Sequence, residues 1–150
     1  MLLTIPWVLC AADQVALEHA WARATAPTVS VGVAFLSIVN ETTVEAKITG
    51  ASAPALCDRV ELHTHVRRVN GTVGMEEIED IKVAPGATTT LKPGGVHLML
   101  MGLKKPLKQG EEFTLQVSLA GEPKPREVTV QIQGIAAMEA PVDGCGECRY

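Results

Sequence analysis

The chain has 150 residues, of which 47% are hydrophobic and 20% are charged, and its formal net charge is −4. This length fits one domain with one core, and the hydrophobic content excludes an intrinsically disordered chain. The acidic balance argues against nucleic acid as a partner, because no basic cluster exceeds a pair of Lys or Arg residues. No apolar run reaches the roughly 18–20 residues that a membrane-spanning helix needs.

Residues 1–12 have the apolar run and small-residue end of an export signal, with cleavage expected near Ala12. The segment is atypical, because it is short and carries no Lys or Arg at its front, so we expect its charged region to be truncated. Cys10 follows Trp-Val-Leu rather than the small residues of a lipoprotein signal. The sequence therefore predicts an exported protein without a lipid on Cys10.

Alternating apolar and polar residues predict an all-β chain. Residues 15–25 are expected to form an edge strand anchored by Trp21, and residues 29–39 a central strand. Turn signals such as Asn70-Gly71 recur every 8–12 residues or so, and no segment keeps a helical period. We therefore predict an antiparallel Greek-key sandwich or barrel of roughly seven to nine strands. Residues 81–91 are expected to contain a turn at Pro85-Gly86 and a short strand, and the other expected strands span residues 43–49, 60–69, 73–75, 96–101, 113–119 and 128–132.

The strand at 96–101 follows a Pro-Gly-Gly turn and has an unusual second face. Its aliphatic residues share one parity, and His97, Met99 and Met101 share the other. Imidazole and thioether together suit a soft ion, Cu(I) before Zn(II). Taken alone, the pattern is explained as well by a strand buried on both faces, in which Met fills space and a neighbour satisfies the His.

A second strand supplies matching donors. His63 and His65 lie on its non-core face ahead of the Asn-Gly turn, and Met75 lies on the return strand, which we expect to bring it near His63. Together with the 96–101 strand, the pattern gathers two imidazoles and two thioethers from distant parts of the chain. Neutral thioethers hold Cu(I) loosely enough to surrender it.

At these residues the sequence resembles the periplasmic copper chaperone family PCu(A)C. Its motif is a His, a Met after eleven intervening residues, a His after twenty-one more, then any residue and a Met. The chain fits those intervals with His63, Met75, His97 and Met99. The likeness extends over about residues 18–132, with further matches at 20–25, 60–63, 91–95 and 100–103.

The resemblance implies a cupredoxin-like barrel over residues 13–133 that binds one Cu(I) on these four side chains. It also implies a periplasmic monomer that delivers copper to the copper domain of cytochrome c oxidase, where the CuA site is assembled, alongside a Sco-type thioredoxin-fold protein. Two nearby residues are auxiliary candidates: His65 as a surface or supporting imidazole, and Met101 as a reserve thioether. Thr64 stands where the family can carry a further Met.

Residues 134–150 are expected to form a flexible tail, in which Cys145 and Cys148 replace the His- and Met-rich end of many family members. The pair is open to three interpretations: a disulfide, which is the default, a second copper or zinc site, or a redox pair. The redox interpretation is the weakest, because no scaffold or helix N-terminus is expected there to lower a thiolate pKa. Cys57 is interpreted as an unreactive structural thiol in a loop.

Enzyme classes find no support, because the sequence contains no Ser-His-Asp, paired-carboxylate or phosphate-loop pattern. An electron-transfer cupredoxin would need a Cys thiolate between two His ligands, and neither Cys57 nor the tail cysteines lie in such a run. A copper buffer without specific delivery needs the same Cu(I) site as a chaperone. The sequence therefore predicts a Cu(I)-binding protein and leaves carrier and buffer open.

Overall fold

The computed structural model describes residues 14–139. The predicted signal, Cys10 and the Cys145–Cys148 pair lie outside the described residues. Within them the chain folds into strands joined by turns and loops, as the alternating pattern predicts, and no helix is long and apolar enough to cross a membrane. The ten strands are β1 (Val15–Arg23), β2 (Val31–Asn40), β3 (Ala46–Ser52), β4 (Cys57–Arg67), β5 (Val73–Glu77), β6 (Ile81–Val83), β7 (Thr88–Thr90), β8 (His97–Leu103), β9 (Glu112–Leu119) and β10 (Arg126–Gln133).

Seven strands close a barrel in the order β4-β8-β2-β1-β10-β9-β3, and the pairing of β3 with β4 completes the ring. Strands β5, β6 and β7 extend it by pairing with β4, β3 and β2. All pairs are antiparallel except β1 with β10, which run parallel. The all-β barrel prediction is confirmed. The expectation that residues 15–25 form an edge strand is wrong, because β1 lies between β2 and β10 and Trp21 is buried.

The barrel interior holds the inward parity of each strand. Leu98 and Leu100 of β8 are fully buried, as is Leu62 of β4, so the aliphatic parities predicted for these two strands do face the core. Because side chains alternate along a strand, the opposite parity of the same two strands is left on the outer face. This outer face of β4 and β8 carries the imidazole and thioether side chains.

Asn40, at the end of β2, is a fully buried polar residue that joins three segments. Its side-chain nitrogen donates to the carbonyl oxygens of Val44, Val83 and Ala84 at 2.8, 3.0 and 3.2 Å. Its side-chain oxygen accepts from the backbone N–H and the hydroxyl of Thr42 at 3.0 and 2.6 Å. A buried amide is tolerated in a core only when it is paired in this way.

Two short loops set the register of the outer face. The β4–β5 hairpin turns at residues 69–71, where Gly71 has a φ of +83° that favours glycine and Arg68 pairs with Thr72. The loop before β8 turns at residues 93–95, with the Gly95 N–H donating to the Lys92 carbonyl at 3.0 Å. Both turns were predicted from their glycines, and both lie beside the predicted donors.

Candidate metal centre

Strand pairing gathers the predicted donors on the outer face of β4, β8 and β5. His63 lies directly opposite His97, and Met99 lies opposite Glu61. The ring centroids of His63 and His97 are 6.0 Å apart. Four residues predicted from widely separated segments therefore share one face, as the parity of each strand indicates.

Met75 reaches the same face from β5. It lies opposite His65, whereas Glu77 lies opposite His63. Met75 is therefore a diagonal neighbour of His63, two positions along the strand. Its side chain is 51% exposed, so its sulfur lies at the surface of the site.

His63 is oriented by a carboxylate that sequence reasoning did not single out. Its Nε2 lies 2.8 Å from Oε2 of Glu61, while Oε1 of Glu61 accepts from Nε of Arg59 at 2.5 Å. The hydrogen bonds from His63 and then Arg59 lower the pKa of Glu61, so this carboxylate is ionised at neutral pH and can only accept. Nε2 must therefore carry the proton, and the lone pair of neutral His63 lies on Nδ1.

The Nδ1 atom of His63 is buried and has no hydrogen-bond partner. Buried polar atoms are normally paired, and an exception needs a physical explanation. A metal ion that accepts the lone pair would supply one. The contact of Nε2 with Glu61 is the carboxylate–histidine arrangement that fixes the tautomer of metal-binding imidazoles.

His97 presents its other nitrogen. Its Nδ1 lies 2.9 Å from the carbonyl oxygen of Gly95, which can only accept, so Nδ1 carries the proton and Nε2 holds the lone pair. The residue is only 3% exposed, and its ring centroid lies 6.5 Å from that of Phe35. Burial is the main cause that lowers the pKa of His97; the hydrogen bond to the Gly95 carbonyl opposes it, and the neighbouring His65 and His63 lower the pKa further. His97 is thus held neutral, which is the form that binds metal.

His65 contacts the same carbonyl. Its Nδ1 lies 3.2 Å from the Gly95 oxygen, and its ring centroid lies 5.2 Å from that of His97. This imidazole was predicted to be an auxiliary group. In the structure it lies opposite Met75 and beside His97. The role of the Gly95 carbonyl is hard to predict from the sequence, because every residue has a backbone carbonyl and the residue type does not distinguish this one.

The two remaining thioether candidates occupy successive outward positions of β8. Met99 is half-buried, lying between Val33 of β2 and Glu61 of β4. Met101 lies two residues further from His97, opposite Arg59, so it is displaced along the strand from the imidazoles. Cys57 is distant from these residues in register: it begins β4, rather than lying in a loop as expected, and its burial raises the pKa of its thiol.

A cavity of about 250 Å³ opens beside the imidazoles. Among residues 14–139, no group of three or more His, Cys, Asp or Glu side chains is arranged to hold a metal ion. Two imidazoles and two thioethers are neutral, soft donors that suit Cu(I). The cavity is lined by Arg23, Val33, Phe35, His65, Met75, Pro93, Gly94 and His97.

Sequence comparison finds a match to the LpqE-like family, described as "Putative lipoprotein LpqE-like", over residues 15–133. The "Putative lipoprotein Lxx21020" of Leifsonia xyli subsp. xyli (strain CTCB07) is 33% identical over 122 residues, which are 80% of this chain and 71% of that protein. The family match spans all ten strands.

Solved structures share the barrel. The apo PCuAC domain of PmoF2 superposes with a TM-score of 0.70 at 20% identity, covering 87% of this chain and 98% of that domain. The solution structure of Cu(I)-DR1885 from Deinococcus radiodurans superposes with a TM-score of 0.63 at 27% identity, covering 83% of this chain and 81% of that one. The predicted cupredoxin-like PCu(A)C fold is confirmed.

Proposed function

This chain belongs to the LpqE-like family, a family of PCuAC type, and we propose that it binds one Cu(I) ion and carries it to an acceptor protein. The ligands would be His63 through Nδ1, His97 through Nε2, and the sulfurs of Met75 and Met99. The observation that carries the proposal is the buried, unpaired Nδ1 of His63, which shares one face with His97 and both thioethers.

The donor set supports a carrier because it contains no thiolate. Thioethers and imidazoles are neutral and bind Cu(I) through soft, moderately strong bonds, so a Cys-rich acceptor can compete for the ion. The exposed position of Met75 lets such an acceptor add its own ligands before those of the donor release. Thiol–disulfide exchange likewise proceeds through a shared intermediate, the mixed disulfide.

The relatives add support from their own metal content. The structures that share the fold include a copper-bound PCuAC domain from PmoF2 and the Cu(I) form of DR1885. The lipoprotein descriptions of the LpqE-like family and of the Leifsonia relative support export, in agreement with the leader-like residues 1–12. We extend the proposal to a periplasmic monomer whose recipients are the copper domain of cytochrome c oxidase and a Sco-type protein.

Anaerobic titration tests binding. We expect one tightly bound Cu(I) per barrel, measured by competition with a chromophoric chelator, and much weaker binding of Zn(II) because two of the four ligands are thioethers. A barrel that binds Zn(II) more tightly than Cu(I), or takes up no Cu(I), would contradict the proposal.

A transfer experiment tests delivery. The Cu(I)-loaded protein is mixed with an apo oxidase copper domain or an apo Sco-type protein, and the transfer rate is followed against acceptor concentration. A carrier gives a rate that rises with acceptor concentration. A rate that is independent of the acceptor and equals spontaneous dissociation would replace the carrier with a copper buffer, which has the same site but no specific hand-over.

A further inference from the structure

Two imidazoles donate to one carbonyl oxygen at the edge of the metal centre. The Gly95 oxygen accepts from Nδ1 of His97 at 2.9 Å and from Nδ1 of His65 at 3.2 Å. A carbonyl oxygen has two lone pairs and no proton, so it can hold both rings in the same tautomer. In the neutral form, each ring therefore carries its lone pair on Nε2, and the two ring centroids are 5.2 Å apart. His65 is prepared for coordination in the same way as His97.

Met75 supplies a third donor beside His65 and His97. In an antiparallel pair, directly opposed residues have Cβ atoms about 5 Å apart and diagonal ones about 7–8 Å apart. Met75 is opposed to His65 and only diagonal to His63. The cavity of about 250 Å³ is lined by His65, Met75 and His97, and its lining includes neither His63 nor Met99.

The donors also differ in how far they are exposed to solvent. His65 is exposed and Met75 is 51% exposed, whereas the side chain of His63 is only 16% exposed and His97 is 3% exposed. His65 and Met75 thus lie towards solvent, and His63 lies deeper on the same face.

We propose that His65, Met75 and His97 form an outer Cu(I) position through which the ion enters and leaves the four-ligand position. This inference rests on the proposed Cu(I) site and adds a ligand and a route to it. Passing inward, the ion exchanges Nε2 of His65 for Nδ1 of His63 and gains the sulfur of Met99, while His97 and Met75 stay bound. All donors are neutral, so the exchange needs no electron and no proton transfer.

The binding test removes the inner ligands. In the His63→Gln/Met99→Leu variant, we expect one Cu(I) to bind anaerobically through the outer position, more weakly than in the parent by about tenfold or more. Adding His65→Gln to this variant should abolish that binding. The matched control adds His19→Gln instead, an imidazole elsewhere on β1, and should leave it unchanged. Circular dichroism checks that each variant is folded.

The kinetic test keeps the inner ligands. His65→Gln alone should retain one Cu(I) but slow its loss to bicinchoninate by about tenfold, and His65→Met, which restores a soft donor, should recover the rate. Failure of the parent to bind Cu(I) would overturn both proposals. Binding by the parent, with none in the His63→Gln/Met99→Leu variant and an unchanged release rate in His65→Gln, would overturn the outer position alone.

Discussion

His63 and His97 lie opposite each other on neighbouring strands, yet their surroundings select different nitrogen atoms. The carboxylate of Glu61 holds the proton on Nε2 of His63, and the Gly95 carbonyl holds it on Nδ1 of His97. Since the two rings have opposite tautomers, the lone pair that can bind a metal lies on Nδ1 in His63 and on Nε2 in His97. Each histidine therefore needs its own partner, and neither partner is replaceable by simple exposure to water.

Replacing the thioethers tests the sulfur ligands. Met75→Leu and Met99→Leu preserve side-chain volume approximately, so we expect both variants to fold normally. Each should weaken Cu(I) binding by about tenfold or more, equivalent to about 1.4 kcal/mol, as measured by chelator competition. Met101→Leu is the matched control on β8 and should bind as the parent does. A double Met75→Leu/Met99→Leu variant that binds Cu(I) with parental affinity would contradict the ligand assignment.

The lowered pKa of His97 predicts how the apo protein responds to acid. Below the ordinary value of about 6.5 the unfolded chain takes up a proton on this residue more readily than the folded chain does. The free energy of unfolding therefore falls as the pH drops below about 6.5 and levels off below the folded pKa. Urea unfolding at pH 7.5 and pH 5.5 measures the change.

His97→Gln removes the titrating group and provides the control for this prediction. We expect the difference in stability between the parent and this variant to depend on pH over the same interval. Cu(I) affinity should decline in the same direction, because an imidazole must be neutral to coordinate, while the thioethers have no proton to exchange. A difference that stays constant from pH 7.5 to pH 5.5 would contradict the assignment to His97.

At the scale of elements, the β4–β5 loop shows how a single residue decides the site. Arg68 pairs with Thr72 beyond the strand ends, so three residues, 69–71, form the turn. Residue numbers in each opposed pair therefore add to 140, as in His65 with Met75. A two-residue turn at Asn70-Gly71 would shift the register by one and place Met75 opposite Val66, which has the core parity. The sequence predicts where the chain turns, but the loop length depends on the αL geometry of Gly71.

Two Asn-x-Thr turns give a matched pair for testing buried polar contacts. Asn40 and Asn70 each accept from the backbone N–H and hydroxyl of the Thr two residues on. Only Asn40 is buried and also donates to three carbonyl oxygens. We expect Asn40→Ala to lower the free energy of unfolding by about 3 kcal/mol, and Asn70→Ala by about 1 kcal/mol or less. Chemical denaturation checks both, and equal losses would contradict the role of burial.

The segment after β10 lies against β1 at its described end. Arg23 donates from Nε to the Ala137 carbonyl at 2.7 Å and from Nη2 to the sulfur of Met138 at 2.9 Å. These contacts are few and partly exposed, so removal of residues 134–150 should cost about 1 kcal/mol and leave a folded barrel that binds one Cu(I). Thermal unfolding and titration measure this, and an unfolded truncated chain would contradict it.

Comparing copper uptake of the reduced full-length and truncated chains then separates the interpretations of Cys145 and Cys148. One additional equivalent in the full-length chain, lost in the Cys145→Ser/Cys148→Ser variant, indicates a second site. Equal uptake leaves the disulfide.

At the scale of the whole molecule, alternation along single strands carries most of what can be predicted. Parity places Glu61, His63 and His65 on one face of β4, and the structure has them there. Parity does not say which strands are neighbours, and the error over β1 has this cause: its second partner, β10, lies at the other end of the chain. The choice of nitrogen on His97 was equally out of reach, because it depends on the Gly95 backbone carbonyl.

Copper should stabilise the whole barrel, since its ligands come together only in the folded state. At a free Cu(I) concentration 100 times the dissociation constant, mass action adds about 2.7 kcal/mol to the free energy of unfolding. Anaerobic urea unfolding at buffered Cu(I) measures the gain, and the Met75→Leu/Met99→Leu variant should gain less at the same free concentration. Parental stability that does not respond to Cu(I) would contradict a site built from β4, β5 and β8.

The parallel pairing of β1 with β10 has a consequence for how the protein matures. The first and last strands of the described chain are neighbours, so the ring cannot close until the final strand is available. Contacts of such wide sequence separation form slowly, because the chain loses conformational entropy on closing before these contacts can stabilise it. A nascent or unfinished polypeptide would present its imidazoles and sulfurs as scattered weak donors. Tight binding of Cu(I) would then require a completed polypeptide.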